Sequence, residues 1–140
     1  MTVETAAGIA HLAATAYLCG VGWLVQLALY PAFATIGPTS AWPDHHSAHS
    51  RALTLVIALP WALQGLALAA LLLTAPGPLV LLAAVLGLAP VVVTVTWSLP
   101  CHAVLSQGYD EQALASLLSS NRLRALLWTG GVLAGAAHLG

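Results

Sequence analysis

Three histidines have a spacing that could bring their side chains together at one end of a helical bundle. His46 and His49 are three residues apart, so a helix would place both on one face, about 4.5 Å apart along its axis. His45 and His49, four residues apart, would make an equally good pair, and His102 belongs to a separate segment. Two histidines from one helix and one from another can bind zinc, copper or iron, or act as acid–base groups. The spacing therefore predicts a site on His49, His102 and one of His45 and His46, with a transition metal as its candidate cofactor, and it does not choose between the last two.

Asp44 lies within about one helical turn of these histidines. It could act as a further ligand or accept a hydrogen bond from a ligand histidine. The alternative interpretation is that all of these residues are polar groups at a membrane surface, where they would meet water and lipid headgroups.

Other polar side chains stand near the ends of apolar segments. Gln26 lies about one turn before Tyr30, Asn121 lies one turn before Arg124, and Arg51 and Arg124 each begin an apolar run. Arginines in such positions commonly extend toward lipid phosphates. If they turn inward, their guanidinium groups could hold an anionic or quinone-like ligand.

Two further features lie away from this cluster. Gln64 would be roughly 27 Å from His46 along a helix, so it cannot share the same site. It is expected either to form a hydrogen bond between helices or to contact a substrate. His11 and His138 form a second pair near the chain ends, where bis-histidine haem ligation is a less favoured hypothesis.

The composition indicates that these residues are carried by membrane-spanning helices. Hydrophobic residues make up 60% of the chain and charged residues 5%, against roughly 25% charged residues in soluble domains. Four apolar stretches, each near the roughly 17–25 residues that cross a bilayer, predict a single domain of four helices. The predicted helices cover about residues 6–29, 43–74, 78–100 and 111–139. With three arginines and no lysine, no nucleic-acid partner is expected.

The chain repeats one design twice, which predicts a bundle with a 2+2 internal repeat. The first apolar run breaks at Pro31 and resumes with Arg51-Ala52-Leu53, and the second breaks at Pro100 and resumes with Arg124-Ala125-Leu126. Because proline lacks an amide donor and restricts the residue before it, we expect the first helix to end at Tyr30-Pro31 and the third at Pro100.

The expected fold class is all-α, a left-handed antiparallel four-helix bundle in the lipid bilayer. All three arginines lie in the two polar connections, which the positive-inside rule places in the cytoplasm, so both termini are expected outside the cell membrane. Small residues crowd the fourth helix. They would allow close packing within the chain or between chains of a homo- or hetero-oligomer.

Four motifs carry a resemblance to a known group of proteins. They are Trp23-x-x-Gln26-x-x-x-Tyr30-Pro31-x-Phe33, His46-x-x-His49-x-Arg51, Pro100-x-His102-x-x-Leu105-x-x-Gly108-x-Asp110 and Asn121-x-x-Arg124-x-x-x-Trp128. With them the chain resembles a bacterial family of small four-helix membrane proteins. It is more distantly similar to the anthrone-oxygenase-like integral membrane proteins, which share the proline break after the third helix and the Asn-x-x-Arg start of the fourth.

The resemblance favours His46 and His49 over His45 and adds His102 to the site. It implies catalytic roles for Asn121 and Arg124. The chain departs from the family at three positions, where relatives often carry an acidic residue, a histidine or a threonine: Gln64, Leu29 and Ala125. The missing intramembrane carboxylate disfavours both a proton relay and a buried site for two metals.

Two functions follow as hypotheses. The first is a membrane oxidoreductase or oxygenase that acts on a lipophilic small molecule, with Arg51, Asn121 and Arg124 in catalysis and metal or acid–base chemistry at the histidines. Gln26, Tyr30 and Gln64 would contact the substrate. The second is a non-catalytic membrane subunit, carrier or assembly factor whose polar loops dock another protein.

Overall fold

The protein consists of four helices and contains no β-strand. A computed structural model describes all 140 residues. Helix α1 covers Val3–Ile36, α2 covers Trp42–Thr74, α3 covers Pro78–Gln107 and α4 covers Glu111–Leu139. Helices α1, α2 and α3 are long and apolar enough to cross a membrane, and α4 is not among them. The all-helical fold class is thus confirmed, with three rather than four helices apolar enough to span.

Two of the expected helix boundaries are wrong. Helix α1 does not end at Tyr30 but continues to Ile36, and α3 does not end at Pro100 but continues to Gln107. The second and fourth helices agree with expectation to within a residue. The consequence is that the polar end of the bundle, which holds the α1–α2 and α3–α4 connections, is helical almost throughout.

A π-helical turn carries each of these helices through its proline. The two turns, called wide turns below, cover Val25–Leu29 in α1 and Thr94–Ser98 in α3. Each ends two residues before a proline, Pro31 or Pro100. A proline ring clashes with the carbonyl of the preceding turn and supplies no amide donor. Because a π turn holds one more residue than a regular α-helical turn, it opens the helix where the proline ring needs room.

The starts of α4 and α2 are stabilised by an N-cap side chain and by a proline in the first turn, respectively. The Asp110 carboxylate accepts a hydrogen bond of 2.6 Å from the Ala113 amide and caps α4. Helix α2 carries Pro43 in its first turn, as the sequence predicts, since no amide donor is needed there. The two connections meet where Gly37, in the α1–α2 connection, packs directly on the ring of Tyr109, in the α3–α4 connection. A β-carbon would not fit there.

Close packing holds α4 against its neighbours. Helix α4 packs against α1 and α3, and α1 also packs along α2, whereas α2 and α3 contact each other little. A β-carbon on Gly131 would lie 3.1 Å from Thr15, and one on Gly22 would lie 3.3 Å from the Trp128 ring. The other α4 glycines face Leu86 and Leu12 of α3 and α1. The small residues of α4 are therefore used within the chain.

Candidate functional site

Tyr30, His102 and His46 form a continuous hydrogen-bonded chain, called the relay below. Tyr30 comes from α1, His102 from α3 and His46 from α2. The Tyr30 hydroxyl lies 3.2 Å from His102 Nε2, and His102 Nδ1 lies 3.2 Å from His46 Nε2. The structure thus brings His46 and His102 together from separate helices, at the polar end of the bundle.

The relay can hold its protons in two directions. If the Tyr30 hydroxyl donates to His102, then His102 donates through Nδ1 to His46. In the reversed chain His46 donates to His102 and His102 donates to Tyr30; reaching it with neutral groups requires Tyr30 to receive a proton and His46 to release one from Nδ1, because moving the two shared protons alone would leave a phenolate and an imidazolium. With a proton taken up at one end and released at the other, all three groups are neutral before and after, which suits an enclosed place: Tyr30 is fully buried and His46 is 5% exposed. A chain of this kind can pass a proton between its ends.

Aromatic side chains fix the relay in position. The Trp42 indole donates a 2.9 Å hydrogen bond to the Leu105 carbonyl and lies with its ring centre 5.1 Å from that of His46. The Phe33 ring, fully buried, lies between Tyr30 and the imidazoles of α2. The wide turn of α1 directly precedes Tyr30 and sets the direction in which its ring points. Trp42 could have been found from its place in the first turn of α2 beside Pro43.

His49 lies beside the relay without joining it. Its ring centre is 4.8 Å from Phe33 and 5.7 Å from Tyr30, and its Nε2 is buried with no hydrogen-bond partner. His45 packs against Phe33 and makes no hydrogen bond to the relay. The structure therefore puts His46, rather than His45, in contact with His102.

The three histidines do not form a metal-binding group. No cluster of three or more His, Cys, Asp or Glu side chains is arranged to hold a metal ion. Both nitrogens of His102 are already engaged, one with Tyr30 and one with His46. Iron, copper or zinc ligation by His46, His49 and His102 stays a prediction that this arrangement does not support.

Arg124 lies inside the bundle next to the relay. Its guanidinium donates to Asn121 Oδ1 at 2.9 Å and to Thr94 Oγ1 at 3.0 Å, and its Nε is buried without a partner. It also lies close enough to the Tyr30 hydroxyl to interact with it electrostatically. Asn121 in turn donates to Gln26 Oε1 and to a backbone carbonyl of α1. Of the two residues expected from the sequence, Arg124 thus lies near Tyr30, and Asn121 holds Arg124 from the same helix.

Arg124 has no acidic partner in the bundle interior. It is 7% exposed, and the two side chains that accept its hydrogen bonds are neutral. The four acidic residues of the chain are all exposed: Glu4, Asp44, Asp110 and Glu111. A buried cation without a counter-charge is costly in a membrane protein and commonly marks a functional position. Thr94 was not among the residues predicted from the sequence, although a hydroxyl within an apolar segment is one signal of such a position.

Arg51 lies outside the site. Its side chain is exposed and donates to Ser47 Oγ one turn earlier on α2. Five residues after His46, it is rotated by about 140° around the helix from the face that meets the relay. Arg51, predicted as a catalytic residue, is therefore exposed on the outside of the helices and apart from the relay, and Arg122 is exposed as well.

Gln64 belongs to a separate contact between α1 and α2. It is 2% exposed, and its Nε2 donates to Thr15 Oγ1 at 2.9 Å. Thr15 in turn donates to the carbonyl of His11. Of the two interpretations left open, the structure contains the hydrogen bond between helices.

His11 and His138 face a very small space at the other end of the bundle. His11 is 1% exposed with an unpartnered Nε2, and the cavity that both residues line measures about 10 Å³. That volume is near the limit for a single water molecule. Haem does not fit between these helices as they are packed.

Comparisons with known proteins add no assignment to this geometry. No protein-family model, no curated protein and no solved structure matches the chain. The resemblance to anthrone-oxygenase-like membrane proteins therefore stays an expectation, and the case for a function depends on the relay, on Arg124 and on their surroundings.

Proposed function

We propose that this protein is a small membrane enzyme that removes a proton from a lipophilic substrate. The observation that carries the proposal is the chain Tyr30–His102–His46, in which three helices each contribute one proton-carrying group. Positioned general acid–base groups typically accelerate proton transfer by about 10²–10⁴-fold. The relay would take up the proton and pass it toward the polar end of the bundle.

Arg124 would stabilise the negative charge that proton removal leaves behind. A guanidinium that is enclosed by apolar helices and has only neutral partners acts in a medium of low dielectric, where its interaction with an anion is strong. Asn121 would position it by holding one of its nitrogens. In this proposal Gln26 is a positioning residue for Asn121, and Arg51 has no catalytic role.

The oxygenase form of the proposal can be written for anthrone, the compound class that the resemblance suggests. Loss of a proton from the CH₂ group between its rings gives an electron-rich anion that molecular oxygen can oxidise. The net reaction consumes one anthrone and one O₂ and yields one anthraquinone and one water. The protein would supply only the proton transfer and the stabilised anion.

Proton transfer and oxidation can be measured separately with protein in lipid nanodiscs. Under nitrogen in D₂O, the wild-type protein should accelerate deuterium exchange at the anthrone CH₂ group. Under air, it should accelerate anthraquinone formation with equal oxygen consumption. His102→Ala and Tyr30→Phe should each reduce the exchange rate by about 100-fold, since each removes a link of the relay.

His45→Ala is the matched control, because His45 is adjacent in sequence and lies outside the relay. Its exchange rate should stay within about twofold of wild type. An exchange rate equal to that of empty nanodiscs, or unchanged in His102→Ala, would overturn the proposal. Exchange without oxygen consumption would retain the proton transfer and remove the oxygenase reaction.

The alternative function, a non-catalytic subunit or carrier, loses one of its supports. Docking of another protein by the polar loops stays a prediction, but the glycines of α4, which suited this function, offer it no free surface. Those glycines face Thr15, Leu12 and Leu86 of the same chain. Association into a homo- or hetero-oligomer stays a prediction without a surface assigned to it.

For the whole molecule we propose an antiparallel four-helix bundle whose two halves are repeats, with both termini outside. Pairings between α1 and α4 support opposite directions, since Gly8 lies beside Leu139 while Gln26 bonds to Asn121. Wide turns at matching places before Pro31 and Pro100 support the repeat.

A further inference from the structure

A cavity between α1 and α2 adjoins the relay. It measures about 160 Å³ and is lined by eight residues, of which seven are hydrophobic. Val25, the first residue of the α1 wide turn, is among them, together with Ala52 and Leu53 of α2. The one polar side chain in its wall is His49.

His49 connects this cavity to the relay. Its imidazole lines the cavity and also packs against the rings of Phe33 and Tyr30. Its Nε2 is buried and has no hydrogen-bond partner in the protein. A buried polar group that lacks a partner is destabilising, so a molecule that supplied a hydrogen-bond partner would be bound favourably at this place.

The cavity faces the surroundings of the helices, not the connections. Leu24, Leu29 and Val56 line it and are 56%, 37% and 41% exposed. All three lie in helices that are apolar and long enough to cross a membrane. A molecule would therefore reach the cavity sideways, from the hydrocarbon of the bilayer.

The volume and the single polar group limit what the cavity can hold. An apolar cavity of about 150 Å³ binds a benzene-sized molecule. A lipid acyl chain could fill the space, but it offers nothing to an imidazole. A six-membered aromatic ring with one hydroxyl fits both the volume and the polar group.

We infer that this cavity is a subsite of the substrate-binding site of the proposed enzyme, adjoining the relay through His49, and that it takes one ring of a lipophilic phenol from the bilayer with the hydroxyl on His49. The inference deepens the proposed function: it names phenols as the substrate class, makes His49 the residue that contacts the hydroxyl, and assigns the gap between α1 and α2 as the route of access. Larger polycyclic phenols or enols would place one ring inside and leave the others in the lipid.

Nitrogen NMR of ¹⁵N-histidine-labelled protein in detergent micelles tests this inference without any turnover. The probes are 4-ethylphenol and 4-ethyltoluene, which share one shape and differ in the hydroxyl. The phenol should shift the His49 resonances saturably, and the toluene should bind about tenfold more weakly, as loss of one hydrogen bond predicts. In His49→Phe, where binding is measured from the broadening of the proton NMR lines of each probe, the two probes should bind equally.

Ala52→Phe fills the cavity and should abolish binding of both probes. Ala58→Phe, a substitution at an exposed site on the same helix that lines none of these cavities, is the matched control and should bind as wild type does. Equal affinity for the two probes, or undiminished binding in Ala52→Phe, would overturn the inference. Phenol binding without deuterium exchange at anthrone would support the binding site and contradict the proposed reaction. Exchange that persists in Ala52→Phe would support the reaction and contradict this binding site.

Discussion

The guanidinium of Arg124 is a cation buried without an acidic partner, so its desolvation opposes folding. It is enclosed between α1, α3 and α4, and it depends on the neutral oxygens of Asn121 and Thr94 for its hydrogen bonds. Truncating such a side chain removes its desolvation cost but leaves a buried acceptor, Asn121 Oδ1, and a half-buried one, Thr94 Oγ1, without this donor. Since hydrogen bonds to charged groups contribute about 1.5–3 kcal/mol each, the loss of the bonds outweighs the gain where the acceptors cannot reach water.

Arg124→Leu should therefore lower the free energy of unfolding by about 1–3 kcal/mol. Arg122→Leu provides the control, because Arg122 is two residues away on the same helix and exposed. It should change stability by less than about 0.5 kcal/mol. Unfolding in mixed micelles of detergent and SDS, followed by tryptophan fluorescence, measures both. Equal stability of the two variants would contradict the role given to Arg124.

Single residues were predictable from the sequence where type and spacing both pointed inward. The histidine spacing of α2 and the place of His102 after Pro100 were enough to expect that histidines of the two helices meet, but only the resemblance favoured His46 over His45. Arg51 and Arg124 occupy matching places in the repeat, so nothing in type or spacing separated them. What separates them is rotation about the helix axis, and that depends on packing against residues distant in sequence.

The wide turns are the elements that organise the polar segment of α4. Gln26, in the wide turn of α1, accepts a hydrogen bond from Asn121. Thr94 and Ser98, in the wide turn of α3, bond to Arg124 and Ser120. Each proline thus has a structural consequence beyond its own position, because the opened turn before it presents polar side chains to the facing helix.

Thr94→Val should destabilise the protein by about 1–2 kcal/mol, since valine keeps the shape and removes the acceptor for Arg124. Thr96→Val is matched to it: Thr96 lies in the same wide turn, is exposed, and donates only to the Val92 carbonyl of its own helix. The control should remain within about 0.5 kcal/mol of wild type in the same unfolding assay. A larger loss in Thr96→Val than in Thr94→Val would count against this reading of the wide turn.

Helix number and the central parts of the helices were readable from apolar length alone, but two helix ends were not. A proline that ends a helix and one that follows a π turn look alike in sequence. The distinction depends on whether neighbouring helices stabilise the opened turn, as Asn121 does for α1 and Arg124 for α3. Such partners lie dozens of residues away.

At the scale of the whole molecule, close contact between α1 and α4 sets the shape of the bundle. Gly131→Leu should push α4 away from Thr15 and destabilise the protein by about 1–3 kcal/mol, as overpacking of a tight contact does. Gly20→Leu is the comparison, because a β-carbon on Gly20 meets no atom within 4 Å. The thermal midpoint in detergent should fall for the first variant and stay near wild type for the second.

The proposed topology predicts which side of the membrane each end occupies. Alkaline phosphatase, active only outside the cytoplasm, should be active when fused after Leu139 and inactive when inserted at Gly108. Green fluorescent protein should give the opposite pattern. If α4 did not cross, a fusion after Leu139 would behave as the Gly108 insertion does, which makes this experiment a direct test of three spans against four.

The modest apolarity of α4 has a consequence for biogenesis. On the proposed topology α4 must enter the bilayer from the insertion machinery with the Arg124 guanidinium. Thr94 of α3, which accepts a hydrogen bond from Arg124, and Gln26 of α1, which accepts one from Asn121, belong to helices that are synthesised earlier. The last quarter of the chain would therefore enter the bilayer only against a scaffold already in place. In a nascent chain that lacks α1, α4 should fail to insert and should remain at the membrane surface, where membrane proteases would degrade it.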